Sequence, residues 1–202
     1  MPNVQKDNTT FDAKVALRKF ALREVREPIV MECYGGLGHL YRACYARVRT
    51  GVVFEAKPEK CDVLGLQRPH WAVYEADCVN ALSGGAGAHL CVNVLDLDPY
   101  GEPWPALDAF FQSDRPRAER LALVVNDGLR HELLMGMGWK VESIRTMIEK
   151  YGNRLGEHYL EICRELVETK AALAGYRLDR FVGRYCGHAQ QMTHYLAVLV
   201  KS

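Results

Sequence analysis

Ile29-Val30-Met31-Glu32-Cys33-Tyr34-Gly35-Gly36-Leu37-Gly38 is a short apolar run that empties into a glycine-rich turn. Its length and its apolar, β-branched start predict a buried strand from Ile29 to Tyr34. The glycines that follow permit a sharp turn and a close approach of backbone to a ligand. His39 to Arg47 then reads as a helix. The same unit recurs downstream. Gly51 to Ala56 is a second strand closed by Glu55, with a helix from Pro58 to Leu66. Trp71 to Glu75 is a third, followed by Asp77 and a helical Cys78 to Leu82. After a glycine turn, Ser83 to Gly87, come a fourth strand, His89 to Leu95, and a helix from Trp104 to Gln112. Leu121 to Asn126 is the fifth strand. Continuous apolar strands alternating with short helices predict a parallel, doubly wound α/β sheet with helices on both faces.

Beyond Asn126 the rhythm changes. Residues 127–152, punctuated by Gly128, Gly136 and Gly138, are expected to form a lid or insertion. Leu155 to Ala174 carries an amphipathic helical pattern stopped by Gly175. Two last strands, Tyr176 to Tyr185 and Met192 to Val200, are joined at Gly187-His188, which predicts an antiparallel hairpin. Upstream, residues 1 to about 10 are polar and expected to fray. Phe11 to Val25 reads as a helix whose basic side (Lys14, Arg18, Lys19, Arg23) is read as a solvated face ahead of a phosphate contact. The expected organisation is a tail and basic amphipathic helix over 1–27 and a single domain over 28–202.

The chain has 202 residues, 49% hydrophobic and 25% charged, with a formal net charge of +1. Such a balance carries no global electrostatic footprint for nucleic acid or an anionic membrane. Seven cysteines without a C-x-x-C pair suit free thiols in a reducing compartment better than disulfides or a zinc site. His188 and His194 have no partner at metal-ligand spacing. No signal peptide or membrane span is expected, and a cytoplasmic location follows as the expectation.

Ligands of a doubly wound sheet bind at the carboxyl ends of the strands, where the strand order reverses. The glycine loop, Glu55, Asp77, and the pair Asp96 and Asp98 all fall there. Glu55 is placed to accept hydrogen bonds from a ribose diol. Asp77 suits an adenine amino group, a helix N-cap, or both. After Asp98, Pro99 ends the strand, and Gly101, Pro103 and Pro105 stiffen a loop that carries Tyr100 and Trp104. Tyr41 stands where the dinucleotide fingerprint requires its third glycine, which argues against a nicotinamide dehydrogenase, and no Gly-Lys-Ser/Thr P-loop is present.

The stretch from Glu32 to Gly38 resembles the acid-x-aromatic-x-Gly-x-Gly loop of class I S-adenosylmethionine-dependent methyltransferases. Glu55, Asp77-Cys78 and Asp98-Pro99-Tyr100-Gly101 follow in the same order. The resemblance implies a Rossmann-like, seven-stranded, mostly parallel sheet with a C-terminal antiparallel hairpin, and S-adenosylmethionine as cofactor. It implies cofactor contacts from Glu32, Tyr34, Gly35, Gly36, Gly38, Glu55, Ala56, Asp77, Cys78 and Asp96. Asp98-Pro99-Tyr100-Gly101, with Asp96 ahead and Pro103 behind, is most similar to the tRNA guanine-N2 dimethyltransferases. Glu102 departs from their small hydroxyl residue and receives no role.

That likeness implies an enzyme that methylates an exocyclic amino nitrogen of a nucleic-acid base, RNA ahead of DNA. Asp98, Pro99 and Tyr100 would be its catalytic residues. Gly101, Trp104 and Arg130 would contact the substrate, with Trp104 as a wall of the pocket. The rival expectations are an acceptor that is a small molecule or protein side chain, or a homologue that binds the cofactor without turnover.

Overall fold

The computed structural model describes residues 10–202. Most of the expected N-terminal tail lies outside them. A seven-stranded sheet runs in the order β3-β2-β1-β4-β5-β7-β6. Its strands are β1 (Ile29–Cys33), β2 (Thr50–Glu55), β3 (Trp71–Glu75), β4 (Val94–Leu97), β5 (Arg120–Asp127), β6 (Tyr176–Cys186) and β7 (Met192–Lys201). The first five are parallel, and β7 pairs antiparallel with both β5 and β6. The order reverses between β1 and β4, so the two chains leaving these strands diverge and open a crevice.

Two cores flank the sheet. One lies under α3 (Cys78–Ser83), α4 (Trp104–Gln112) and α7 (Tyr159–Leu173). The amphipathic period is clearest in α7, which buries Tyr159, Ile162, Cys163, Leu166 and Val167, one face of a 3.6-residue helix. The other core lies under α1 (Phe11–Glu24), a π-helical turn at Tyr41–Tyr45 and α2 (Pro58–Gln67). The expected helix after the glycine loop is therefore wound more widely at its centre. Between β5 and α7 the chain forms α5 (Arg130–Leu134), short 3-10 turns and α6 (Arg145–Tyr151).

Two sequence expectations need correction. β4 runs from Val94 to Leu97, later at both ends than expected, and Asn93 just before it gives its side chain to the Ile29 amide and the carbonyls of Arg26 and Glu27. Because the strand ends at Leu97, Asp96 lies inside it, one residue from its end. The basic side of α1 is also not simply solvated. Arg18 is fully buried; its Nε and Nη2 donate to the two Asp96 oxygens at 2.7 and 2.6 Å. Tyr45 Oη donates to the same carboxylate at 2.8 Å. Leu17 and Ala21 pack beside this pair against the sheet.

A buried pair with good geometry contributes little over an apolar substitute, but losing one member strands a charge. R18M should lower unfolding stability in urea by about 3–5 kcal/mol, and R18M/D96L should recover most of the loss.

Candidate functional site

The carboxyl ends of β1, β2 and β3 form the first part of the site. Tyr34 leaves β1 with φ +72°, a left-handed conformation costly for an aromatic residue and enriched at functional loops. A Cβ on Gly35 would come within 2.4 Å of Val53, and one on Gly38 within 2.2 Å of Gln67. The loop is thus tucked against α2 in a shape only glycine permits. Gly36 N–H donates to Glu55 Oε2 at 2.8 Å, and Lys57 N–H to Oε1 at 3.1 Å. Asp77 caps α3 by accepting from Asn80 N–H at 3.0 Å. Tyr34, Phe54, Glu55, Ala56, Ala76, Asp77 and Cys78 line one small cavity. Five of the expected cofactor residues (Tyr34, Glu55, Ala56, Asp77, Cys78) therefore meet at one place, with the glycine loop at its edge.

Glu32 and Asp96 are drawn elsewhere. They are register partners on β1 and β4 and share the face covered by α1 and α2. Glu32 pairs with Arg68 at 2.5 Å, and that guanidinium lies over the rings of Tyr41 and Trp71. Asp96 is occupied by Arg18 and Tyr45. Neither carboxylate lines the cavity, so both expected cofactor contacts are corrected to buried struts beneath the strand ends.

The second part of the site is the loop after β4. Asp98 lies just beyond β4 and accepts from Lys14 Nζ at 2.6 Å, with Arg18 Nη2 at 3.8 Å. Tyr100 is 95% exposed and its ring is free. Gly101 O accepts from Gly128 N–H at 3.3 Å, and a Cβ on Gly128 would come within 2.7 Å of Tyr100 O. Glu102 accepts from Ser143 Oγ at 2.9 Å. The residue without an expected role thus ties the segment after β5 to the loop.

Two expected substrate contacts are overturned. Trp104 has no exposed surface; it begins α4 inside the core, where its indole N–H donates to Tyr159 Oη at 3.3 Å. Arg130 is buried as well. Its Nε donates to Gly156 O at 2.8 Å, its Nη1 to Gln190 O, and its guanidinium lies 3.7 Å over Tyr185. Both were misassigned for one reason: an aromatic or a cation near a strand end reads alike whether it faces solvent or packs inward.

Three further polar residues lie near the site: Asp127 and Asn126, which received no role from the sequence, and His194, excluded there only as a metal ligand. Asp127, at the end of β5, accepts from Tyr159 Oη and Leu129 N–H, each at 2.7 Å. Burial pushes its carboxyl up to about 7. Asn126 and His194 are fully buried on β5 and β7, and among the described residues their side chains have no hydrogen-bond partner. Their signal in the sequence was the polar end of the apolar run from Leu121 to Asn126, with Asp127 next to it, and a polar break within the run from Met192 to Val200. The described residues contain no cluster suited to a metal ion, no helix long and apolar enough to cross a membrane, and only free cysteines, of which Cys91 is exposed.

No family model and no curated protein matches the chain. Solved structures do. TYW2 of M. jannaschii, solved with AdoMet, is 13% identical with TM-score 0.62, covering 99% of this chain and 80% of that one. Trm1 of Pyrococcus horikoshii, solved with S-adenosyl-L-methionine, is 14% identical with TM-score 0.70 over 96% of this chain. The match spans 56% of Trm1. The N-methyltransferase NodS of Bradyrhizobium japonicum, solved with S-adenosyl-L-homocysteine, is 12% identical with TM-score 0.59, covering 98% and 90%. The chain has the Rossmann-like fold of these methyltransferases.

Asp127 offers a pH test. Its folded-state pKa lies above the unfolded value, so the folded chain holds a proton that the unfolded chain has lost between about pH 4 and 7. Its contribution to stability therefore falls as pH rises through that window. The stability of D127N relative to wild type should climb from about pH 4 to 7 and level off above it, measured by urea denaturation at each pH.

Proposed function

We propose that this protein is an S-adenosylmethionine-dependent methyltransferase that transfers the methyl group to an exocyclic amino nitrogen of a nucleic-acid base, RNA ahead of DNA. The observation that carries it is the juxtaposition at one sheet edge of two features. One is the cavity of Tyr34, Glu55, Ala56, Asp77 and Cys78; the other is the Asp98-Pro99-Tyr100-Gly101 loop across the β1/β4 crevice. The solved structures of like fold hold this cofactor or its demethylated product.

The residues present fit such a cofactor. The Gly35–Gly38 backbone lies where a side chain would collide with Val53 or Gln67, leaving main chain as the approach surface. Glu55 is held by two backbone amides and keeps lone pairs for a ribose diol. Asp77 is fixed as the cap of α3 and lines the cavity, where its carboxylate would accept from an adenine amine. When bound, the cofactor would supply an electrophilic methyl group on a sulfonium, whose S–C bond breaks as the N–C bond forms and whose electron pair leaves on sulfur as the neutral thioether of S-adenosylhomocysteine.

An exocyclic amine is a poor nucleophile because its lone pair is delocalised into the ring. Asp98 and the Pro99 carbonyl accept its two N–H bonds, favour a tetrahedral nitrogen and leave the lone pair free to attack. Asp98 takes the proton released when the N–C bond forms. Tyr100, with its ring in solvent, stacks on the base. A base within a helix must first be flipped out. The relatives of like fold include an enzyme named as an N-methyltransferase and Trm1, whose N-terminal to C-terminal extent this chain only partly spans.

A small-molecule acceptor is the second reading, favoured by the net charge of +1, which supplies little attraction for a polyanion. Calorimetry should show S-adenosylmethionine and S-adenosylhomocysteine binding; no binding at millimolar ligand overturns the proposal. D98A should abolish tritium-methyl transfer while leaving S-adenosylhomocysteine affinity within a few-fold. E55A should weaken that affinity by roughly tenfold, the worth of one charge-assisted hydrogen bond. Label that enters metabolites and never RNA selects the second reading.

A further inference from the structure

One row of polar residues crosses the carboxyl edge of the sheet on the face that α1 covers. Leu97 of β4 is the register partner of Val125 of β5, so Asp98 and Asn126 stand one step further along neighbouring strands. Asn126 is in turn the register partner of His194 on β7. Directly opposed residues of an antiparallel pair point to the same face. That face is fixed by Val124 and Leu196, two residues away on each strand, which pack in the α1-side core with Leu17 and Ala21. Asp98 belongs to it through its contacts with Lys14 and Arg18.

The row is half satisfied. Asp98 is bonded to Lys14, whereas neither polar atom of the Asn126 amide nor either ring nitrogen of His194 has a partner among the described residues. Leaving such groups unpaired in a buried site is costly, and native proteins seldom tolerate it without a use. In the deeper row on the same face both carboxylates have partners inside the chain, Asp96 in Arg18 and Tyr45 and Glu32 in Arg68, although Nε and Nη2 of that arginine have none among the described residues. Burial, with Lys14 nearby, pushes the His194 imidazole down to about 4, so at neutral pH it offers one N–H donor and one acceptor nitrogen. Asn126 offers the same two functions on one planar amide.

We propose that Asp98, Asn126 and His194 form the acceptor pocket, shaped for a planar ring that carries an amine beside an amide-like donor and acceptor edge, and that the Lys14 ammonium fills the amine's place until the acceptor enters. The proposal rests on the methyltransferase reading above. It assigns the two orphaned side chains as specificity-determining residues and makes Lys14 an internal substitute for the substrate. Lys14 and Asp98 retain 20% and 17% side-chain exposure whereas Asn126 and His194 have none, so an acceptor would have to enter by displacing the Lys14–Asp98 contact. The flexible lysine stem can swing into solvent while Arg18 keeps the rest of α1 seated. The backbone of the helix's first turn stays in place, since Thr10 and Ala13 are buried and Arg18 Nη1 donates to Lys14 O at 3.1 Å, so the movement is confined to the lysine side chain.

The test uses N126L, H194L and K14M in the full chain. Replacing an unpaired buried polar group by an apolar one of similar size removes a penalty, so N126L and H194L should raise the thermal midpoint by about 2–4 °C. In tritium-methyl transfer to total RNA, or to a metabolite extract if that fraction takes the label, both should raise the acceptor KM by about tenfold. Their S-adenosylhomocysteine affinity should stay within about twofold, and K14M should lower the acceptor KM. An unchanged KM in N126L and H194L overturns the proposal, as does a K14M variant with raised KM. If the wild type labels no pool, the methyltransferase reading fails by itself. The thermal midpoints then decide on the pocket: a rise keeps it as a ligand site, and a fall makes the two residues structural and removes it.

Discussion

The buried contact between Arg18 and Asp96 is the constraint on which the arrangement of the site depends. A guanidinium with no exposed surface meets a carboxylate through two parallel hydrogen bonds, the geometry in which arginine and carboxylate match best. Tyr45 supplies a third donor from the π-helical turn after the glycine loop. One carboxylate in β4 therefore gathers two segments from different parts of the chain, α1 and the turn after β1. The middle of α1 is seated on the sheet by this pair, one helical turn from Lys14 and its contact with Asp98, while Glu24 ties the end of the helix to Arg120 and Arg180.

The same economy governs the cofactor side. The glycine loop is held by Glu55 through Gly36 N–H and by its own fit against Val53, Leu64 and Gln67. Beneath it, Glu32 and Arg68 form a second buried pair, with Arg68 over Tyr41 and Trp71. Buried ion pairs are weak sources of net stability, because desolvation offsets most of the attraction. What they do here is geometric: a paired guanidinium fixes direction as well as distance, which apolar packing alone does less well. The loop after β4 is held from its other side by Glu102 with Ser143 and by Gly101 with Gly128.

Element types were legible in the sequence because strand and helix leave different periods, and their order alone implied the doubly wound sheet. The cofactor side was legible for a related reason. Gly35, Gly36, Gly38, Glu55 and Asp77 are short or backbone-bonded residues that stay close to where the main chain places them, so their position at a strand end nearly fixes where they meet. Trp104 and Arg130 were not legible, since a long side chain reaches several ångströms from its own backbone and the choice between core and solvent is made by distant partners, Tyr159 in one case and Gly156 and Tyr185 in the other. Lys14 and Arg18 failed in the same way. A basic helical face is usually solvated, and only the carboxylates some eighty positions away, brought under it by the sheet, turn it inward.

Asp96 and Asp98 show how far spacing can carry an assignment and where tertiary structure must finish it. Two residues apart, they share a face and look equivalent. Their difference arises from depth: Asp96 is the partner of Glu32 inside the paired region, whereas Asp98 lies one step past the last paired residue, Leu97. A carboxylate inside the ladder is sealed by neighbours on both sides and must be neutralised by the protein itself, which Arg18 and Tyr45 accomplish. One past its end meets the crevice, and its partner is a lysine on a flexible stem in place of a planar, doubly bonded guanidinium. A partner of that kind can be exchanged. The tightly held acid builds the scaffold, and the loosely held one keeps some exposure and a partner that can leave it.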